Sequence, residues 1–203
     1  MKPVLVYGAG DFGQVIRDLV AQCGYPFAGF IDDITDGPEV LGTYASVRRT
    51  HLPEEHAIAI AIGYRHLAAR WQVYRRVCAD GYATPALIHP RAYVRDPGAV
   101  GAGAFIMAGA IVDVGATVGE LAVLWPGSNV SHHCAVGANT FLSPGAIVCG
   151  FTRVGHGCFL GAGAVVVDHM EVPPAQFIKA GTVYSASTRN DPAVAFRMVT
   201  DEP

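Results

Sequence analysis

Charge is scarce in this chain. Asp, Glu, Lys and Arg together make up 15% of its 203 residues, the formal net charge is −3, and the Lys and Arg residues form no stripe or cluster. A nucleic-acid partner needs concentrated basic charge, so that class is excluded and a small-molecule partner is expected. Cysteine is also sparse. Cys23, Cys78, Cys134, Cys149 and Cys158 show no CxxC or other metal-ligand spacing, and an odd number argues against a disulfide framework. They read as reduced thiols. No run of 18 apolar residues escapes interruption by glycine, proline or charge, so no membrane span is expected. The opening Val4-Leu5-Val6-Tyr7 turns glycine-rich too soon for the core of a signal peptide, which predicts a cytoplasmic protein.

What is present follows two grammars. From residue 1 to 87, strand-like and helix-like runs alternate. Val4 to Tyr7 is a short apolar strand, Gly8-Ala9-Gly10-Asp11-Phe12-Gly13 is a glycine-rich turn, and Val15, Ile16, Leu19, Val20 and Cys23 then recur at helical spacing. Phe27 to Ile31 reads as a second strand ending in Asp32-Asp33, and the unbroken apolar run from Ala57 to Ile62 suits a buried parallel strand. Leu67, Trp71, Tyr74 and Cys78 predict an amphipathic helix that ends near Gly81. These elements predict a small Rossmann-like α/β domain.

From Ile88 the period becomes six. Every sixth residue is Ile, Val or Leu through Val94, Val100 and Ile106 and onward to Ile178, sixteen positions without a slip. Four places after most of them stands a small residue, as at Ala104, Ala110, Ser128, Cys134, Ala146 and Ala164. Neither a helix nor an ordinary strand repeats in six. A prism with three short parallel strands per turn does, with the aliphatic residue inside, the small one beside it and glycine at the corners. Three hexads make an 18-residue coil, and that spacing supplies an independent check. Gly109, Gly127, Gly145, Gly163 and Gly181 fall on one line, Gly101, Gly119, Gly137 and Gly155 on another, and Ala108, Pro126, Pro144, Ala162 and Ala180 on a third. One edge is therefore a strip of small residues along which a flexible cofactor arm could lie. The prism is expected over 88–183, followed by a tail over 184–203 in which Val194, Phe196 and Met198 keep no period.

The order of these pieces resembles a known family, the bacterial sugar acyltransferases of the sialic acid O-acetyltransferase and bacillosamine N-acetyltransferase type. The resemblance rests on Val4 to Gly13, on Phe30-Ile31-Asp32-Asp33, on Ala61-Ile62-Gly63 and on Leu87-Ile88-His89-Pro90 leading into hexapeptide repeats. It rests most of all on Asn129-Val130-Ser131-His132-His133-Cys134-Ala135-Val136-Gly137, where the family carries a catalytic histidine at the position of His132. The resemblance implies a left-handed parallel β-helix, a homotrimer with acetyl-coenzyme A between neighbouring prisms, and a nucleotide-linked sugar held by the front domain. Carried over residue by residue, it implies substrate contacts at Gly8, Gly10, Asp11, Phe12, Gly13, Asp32, Asp33 and Gly63, and cofactor contacts at Phe141, Ala162 and Ala180. It points to surface polysaccharides or glycoprotein glycans as the destination of the product.

Acetyl transfer from a thioester to a sugar amine or hydroxyl needs a base that works near neutral pH, and an imidazole suits the task. The family usually places Asp or Glu directly after its histidine, and here that position is His133. Either the second imidazole orients the first, or a carboxylate arrives from elsewhere, with Asp113 one coil away as the candidate, or activity has been lost. Gly8-x-Gly10-x-x-Gly13 with Asp32 also fits a dinucleotide fingerprint. Fewer than 90 residues precede the prism, however, and the second mononucleotide half is missing, so a nucleotide-sugar diphosphate on the amides of the turn is the expected ligand. The remaining histidines show no metal-binding spacing, and no metal is expected. N-acetylation of a 4-amino-4,6-dideoxy sugar leads, with O-acetylation of a sugar or sialic acid and a non-catalytic nucleotide-sugar binder as alternatives.

Overall fold

A computed structural model describes residues 1–198; the last five residues of the tail lie outside the described residues. The chain divides into two compact units, Met1–Leu87 and Ile88–Pro203.

The front unit contains β1 (Val4–Tyr7), α1 (Asp11–Gln22), β2 (Phe27–Ile31), α2 (Tyr44–Val47), β3 (Ala57–Ile60) and α3 (Leu67–Ala79). Its sheet has the order β2-β1-β3 and is parallel throughout. The central strand β1 is wholly buried, which is why it reads as an unbroken apolar run rather than an alternating one. β3 stops at Ile60, short of the expected Ile62. The last rung runs from the Ala61 amide to the Tyr7 carbonyl, after which β1 turns away at Gly8 and leaves no partner. The buried stripe of α3 also differs from expectation. Leu67, Arg70, Tyr74 and Val77 face inward, whereas Trp71 is half-buried and Cys78 is exposed. The stripe is thus rotated by about one residue, and it carries a fully buried arginine whose desolvation pushes its guanidinium down to about 9.

The second unit is the left-handed β-helix. Its two-residue strands stack with a register of 18, as in Leu142 beside Leu160, Val130 beside Val148 and Val136 beside Val154. We call the three resulting sheets face I (with Phe141–Leu142), face II (with Asn129–Val130) and face III (with Ala135–Val136). The hexad positions from Ile106 to Ile178 are at most 3% exposed and form the core, each contributing about 1.5–3 kcal/mol of burial. At the open first coil, Ile88 and Val94 are only half-buried. Beside the aliphatic column, Thr140 and Thr152 hold the interior small positions; each hydroxyl donates to one backbone carbonyl and accepts from one backbone amide.

The glycine lines have separate causes. Gly109, Gly127, Gly145, Gly163 and Gly181 are left-handed, with φ between 64° and 71°. Gly101, Gly119, Gly137 and Gly155 are not; a Cβ there would stand 2.4–2.6 Å from backbone atoms of the next coil. In the tail, Ala195–Arg197 forms a strand antiparallel to Gln176–Ile178 and covers the last rung of face I. Phe196 stacks on Phe177 at 4.8 Å, and Phe177 on Phe159 at 4.6 Å.

Candidate active site

In the front unit, the carboxyl ends of β1 and β3 meet where the strand order reverses, the position at which open parallel sheets bind ligands. Gly8 has φ +110°, and a Cβ there would lie 2.8 Å from the Ala61 carbonyl. A Cβ on Gly13 would lie 2.0 Å from the Gly8 carbonyl, so the first turn of α1 packs directly on the loop. Gly10 is the N-cap, exposed and with open space above its Cα, and no side chain caps the helix. The positive end of α1 is accordingly available to an anion. Asp11, in the first turn, complements the same helix end with its own charge, and Phe12 beside it is half-buried.

Asp32 builds the loop. One carboxylate oxygen accepts from the Ala9 amide at 2.9 Å, and the other accepts from the Ile34 and Thr35 amides at 2.9 Å each. Burial alone would raise its carboxyl, but these three amides, with the Thr35 hydroxyl, outweigh it and hold the group below its ordinary value. Asp33 accepts from the Tyr7 hydroxyl and, at 2.8 Å, from the Tyr44 amide. Arg76 donates to the Tyr7 hydroxyl at 2.5 Å, lies 3.6 Å from Asp33 and covers the Tyr44 ring at 4.5 Å. Burial, then the neighbouring carboxylate, push the Tyr7 phenol far above its ordinary value. Tyr7, Tyr44 and Arg76 were not singled out from the sequence. A tyrosine closing an otherwise aliphatic strand is the one signal that could have found them. Gly63 follows β3 and is half-buried with free space above its Cα.

In the β-helix, His132 and His133 occupy the corner between faces II and III. His132 is half-buried and His133 exposed, the latter in left-handed backbone with φ +56°. Their Nδ1 atoms are 3.3 Å apart. A carboxylate does not complete the pair: among the described residues none hydrogen-bonds to either ring. Asp113, the candidate from the sequence, accepts from the Val114 amide at 2.7 Å instead. The small-residue strip lies on a different corner, between faces I and II, with Ala162, Gly163, Ala180 and Gly181 all exposed. Phe141 sits on face I and is 1% exposed. Within one chain, face II therefore separates the histidine pair from the strip. Face III, just beyond His133, carries an open depression of about 490 Å³ whose charged lining residues are Arg153 and Glu171.

A family model described as the PglD N-terminal domain matches residues 3–77. Among solved structures, the acetyltransferase domain of PglB from Neisseria gonorrhoeae is 30% identical over 91% of this chain and 92% of that one, with a TM-score of 0.82. The same domain in complex with acetyl coenzyme A matches at 28% identity over 90% of this chain and 92% of that one, with a TM-score of 0.79. A mutant of perosamine N-acetyltransferase from Caulobacter crescentus, in complex with CoA and GDP-perosamine, matches at 25% identity over 89% and 94%, with a TM-score of 0.70. Comparison with curated protein sequences returns no match. With the front unit matched by the family model and a likeness at 30% identity that spans nearly the whole of both chains, the protein belongs to the PglD-like family of hexapeptide-repeat sugar acetyltransferases.

Proposed function

We propose that the chain transfers the acetyl group of acetyl-coenzyme A to the amine of a nucleotide-linked 4-amino-4,6-dideoxy sugar, with His132 as general base and His133 as its orienting partner. The observation that carries this reading is the imidazole pair at the corner, 3.3 Å apart between Nδ1 atoms, with no carboxylate attached among the described residues. In the productive tautomer, His132 Nδ1–H donates to the Nδ1 lone pair of His133, which leaves His132 Nε2 unprotonated and ready to accept. As the amine nitrogen attacks the thioester carbonyl, the C–N bond forms, His132 Nε2 takes the amine proton and the C–S bond breaks. The thiolate of coenzyme A leaves and takes up the proton held by His132, which restores the base. The positive charge that develops on His132 strengthens its bond to His133, which thereby fills the place usually held by a carboxylate.

The loop Gly8 to Gly13, with the α1 amides behind it, suits the diphosphate of the sugar nucleotide, and Asp33, Gly63 and the Tyr7–Arg76 cluster offer polar contacts to the remainder. The exposed strip through Ala162 and Ala180 suits the pantetheine arm. Because face II separates that strip from His132 within one chain, the strip that serves a given His132 comes from a neighbouring copy. A homotrimer meets this requirement three times over. Among the described residues no helix is long and apolar enough to cross a membrane.

The test is a thiol-release assay with acetyl-coenzyme A and a panel of UDP-, GDP- and dTDP-linked 4-amino-4,6-dideoxy sugars, run beside His132→Ala. Turnover with one nucleotide is expected, falling roughly 100-fold or more in the variant, with a product that survives mild base as an amide does. A base-labile product would make the enzyme an O-acetyltransferase. Sugar-nucleotide binding without turnover would reduce it to a binding protein.

A further inference from the structure

The left-handed columns of the β-helix differ in composition from corner to corner. At the corner between faces I and II, every left-handed position of the column is glycine. At the corner between faces II and III, the left-handed column reads Gly115, His133, Phe151 and His169, with φ of 67°, 56°, 57° and 55°. At the corner between faces III and I the column also admits side chains, at Leu121, Asn139 and Ala175 with φ of 60°, 55° and 58°, so left-handed backbone by itself does not single out the histidine corner. What distinguishes it is that its side chains are rings ordered against one another. The rings of His133 and Phe151 are 5.1 Å apart and within 10° of parallel; those of Phe151 and His169 are 5.0 Å apart and within 9°. This spacing matches the rise between coils. On the other side of His133, Gly115 leaves the space that the ring needs, since a Cβ there would come within 2.9 Å of it. Phe151 nonetheless remains 50% exposed, so burial of the ring does not account for the arrangement.

The neighbouring column supports His132 in the same manner. One coil on from it stands Gly150, where a Cβ would fall 2.6 Å from His132 Cε1 and 2.8 Å from Nε2. The imidazole therefore lies over a bare backbone, while its ring and that of Phe151 stand nearly perpendicular, 5.1 Å apart and at 82°. For the pair to work, His133 must present Nδ1 to His132. A half-turn of its ring would present carbon there, and a ring stacked at 5.1 Å can make that turn only by displacing its neighbour.

Building on the role of His132 as base, we propose that Phe151 and Gly150 are positioning residues: Phe151, stacked between His133 and His169, locks the His133 ring with Nδ1 toward His132, and Gly150 supplies the bare seat on which the His132 ring rests. Together they do what the missing carboxylate does elsewhere, by packing where the relatives' pattern uses charge.

The test compares Phe151→Ala, Phe151→Tyr and Gly150→Ala. Two readouts are taken: kcat and KM for acetyl-coenzyme A and the best panel sugar, and the ring-nitrogen chemical shifts of His132, which report its tautomer without any turnover. Phe151→Ala should lower kcat roughly 10- to 100-fold, the range for a misplaced catalytic group, with KM unchanged and His132 passing from one tautomer to a mixture. Phe151→Tyr keeps the stack and should restore both. Gly150→Ala, whose backbone is not left-handed, should lower kcat together with a change in the His132 nitrogen shifts; a loss of kcat with those shifts unchanged would mean that the methyl merely crowds Nε2 and that Gly150 seats nothing. Unchanged kcat and tautomer in Phe151→Ala, or a rise in KM alone, would overturn the proposal. If His132→Ala keeps full turnover the base assignment fails instead, and the tautomer in Phe151→Ala still decides whether the stack orders the pair.

Discussion

At the scale of single residues, Asp32 is the clearest case of a group with a structural duty at a candidate site. Its carboxylate accepts from three backbone amides of two loops, and those donors hold its folded pKa below the ordinary value of 3.8. A depressed carboxyl stabilises the fold above the unfolded pKa, and that contribution disappears as pH falls through the folded one. Asp32→Ala should therefore destabilise the protein at neutral pH by about 2 kcal/mol, the scale of hydrogen bonds to a charged group. The gap between wild type and variant in urea midpoints should close as the pH is taken below 4. A constant gap down to the acid limit would mean that the charge of Asp32 contributes nothing.

At the scale of elements, the two glycine lines make a prediction that separates their causes. Gly145→Ala meets no atom within 4 Å and only has to adopt φ near +67°, at about 1 kcal/mol. Gly137→Ala keeps an ordinary φ but drives its Cβ to 2.5 Å from the His156 amide nitrogen, which should cost about 3 kcal/mol. Thermal unfolding of the two variants should rank them in that order, and the reverse order would mean that coil contacts yield more easily than backbone torsion. The sequence shows both lines, because a period of 18 is visible in residue identity alone, and it shows the prism for the same reason. It does not separate them, because glycine satisfies a torsion and a close approach alike. The same limit explains the α3 stripe. Trp71 and Cys78 fit the apolar pattern, but Arg70 and Val77 are the residues turned inward, and nothing local to the sequence marks an arginine for burial. Of the histidine corner, the sequence gives its place in the hexad. The left-handed backbone of His133 and Phe151, and the stacking that follows from it, come from coils brought together only by the fold.

At the scale of the whole molecule, the proposed reaction calls for assembly, because face II separates His132 from the small-residue strip. Sedimentation equilibrium should give three times the 21.3 kDa of one chain; a mass of one chain with full turnover would place strip and base in the same subunit and overturn the proposed trimer. The fixed 18-residue register carries a further consequence, for how such a gene can change its length. An insertion or deletion of one residue that a corner loop does not absorb throws core positions outward and undoes the packing of the prism. One of six keeps the core intact yet turns everything downstream by a third of a revolution, so that residues written for one edge reappear on the next. Only a whole coil passes unnoticed. The β-helix is thus read in a frame of eighteen, and its descendants should differ in length by that quantum while the corner with its two imidazoles stays in phase.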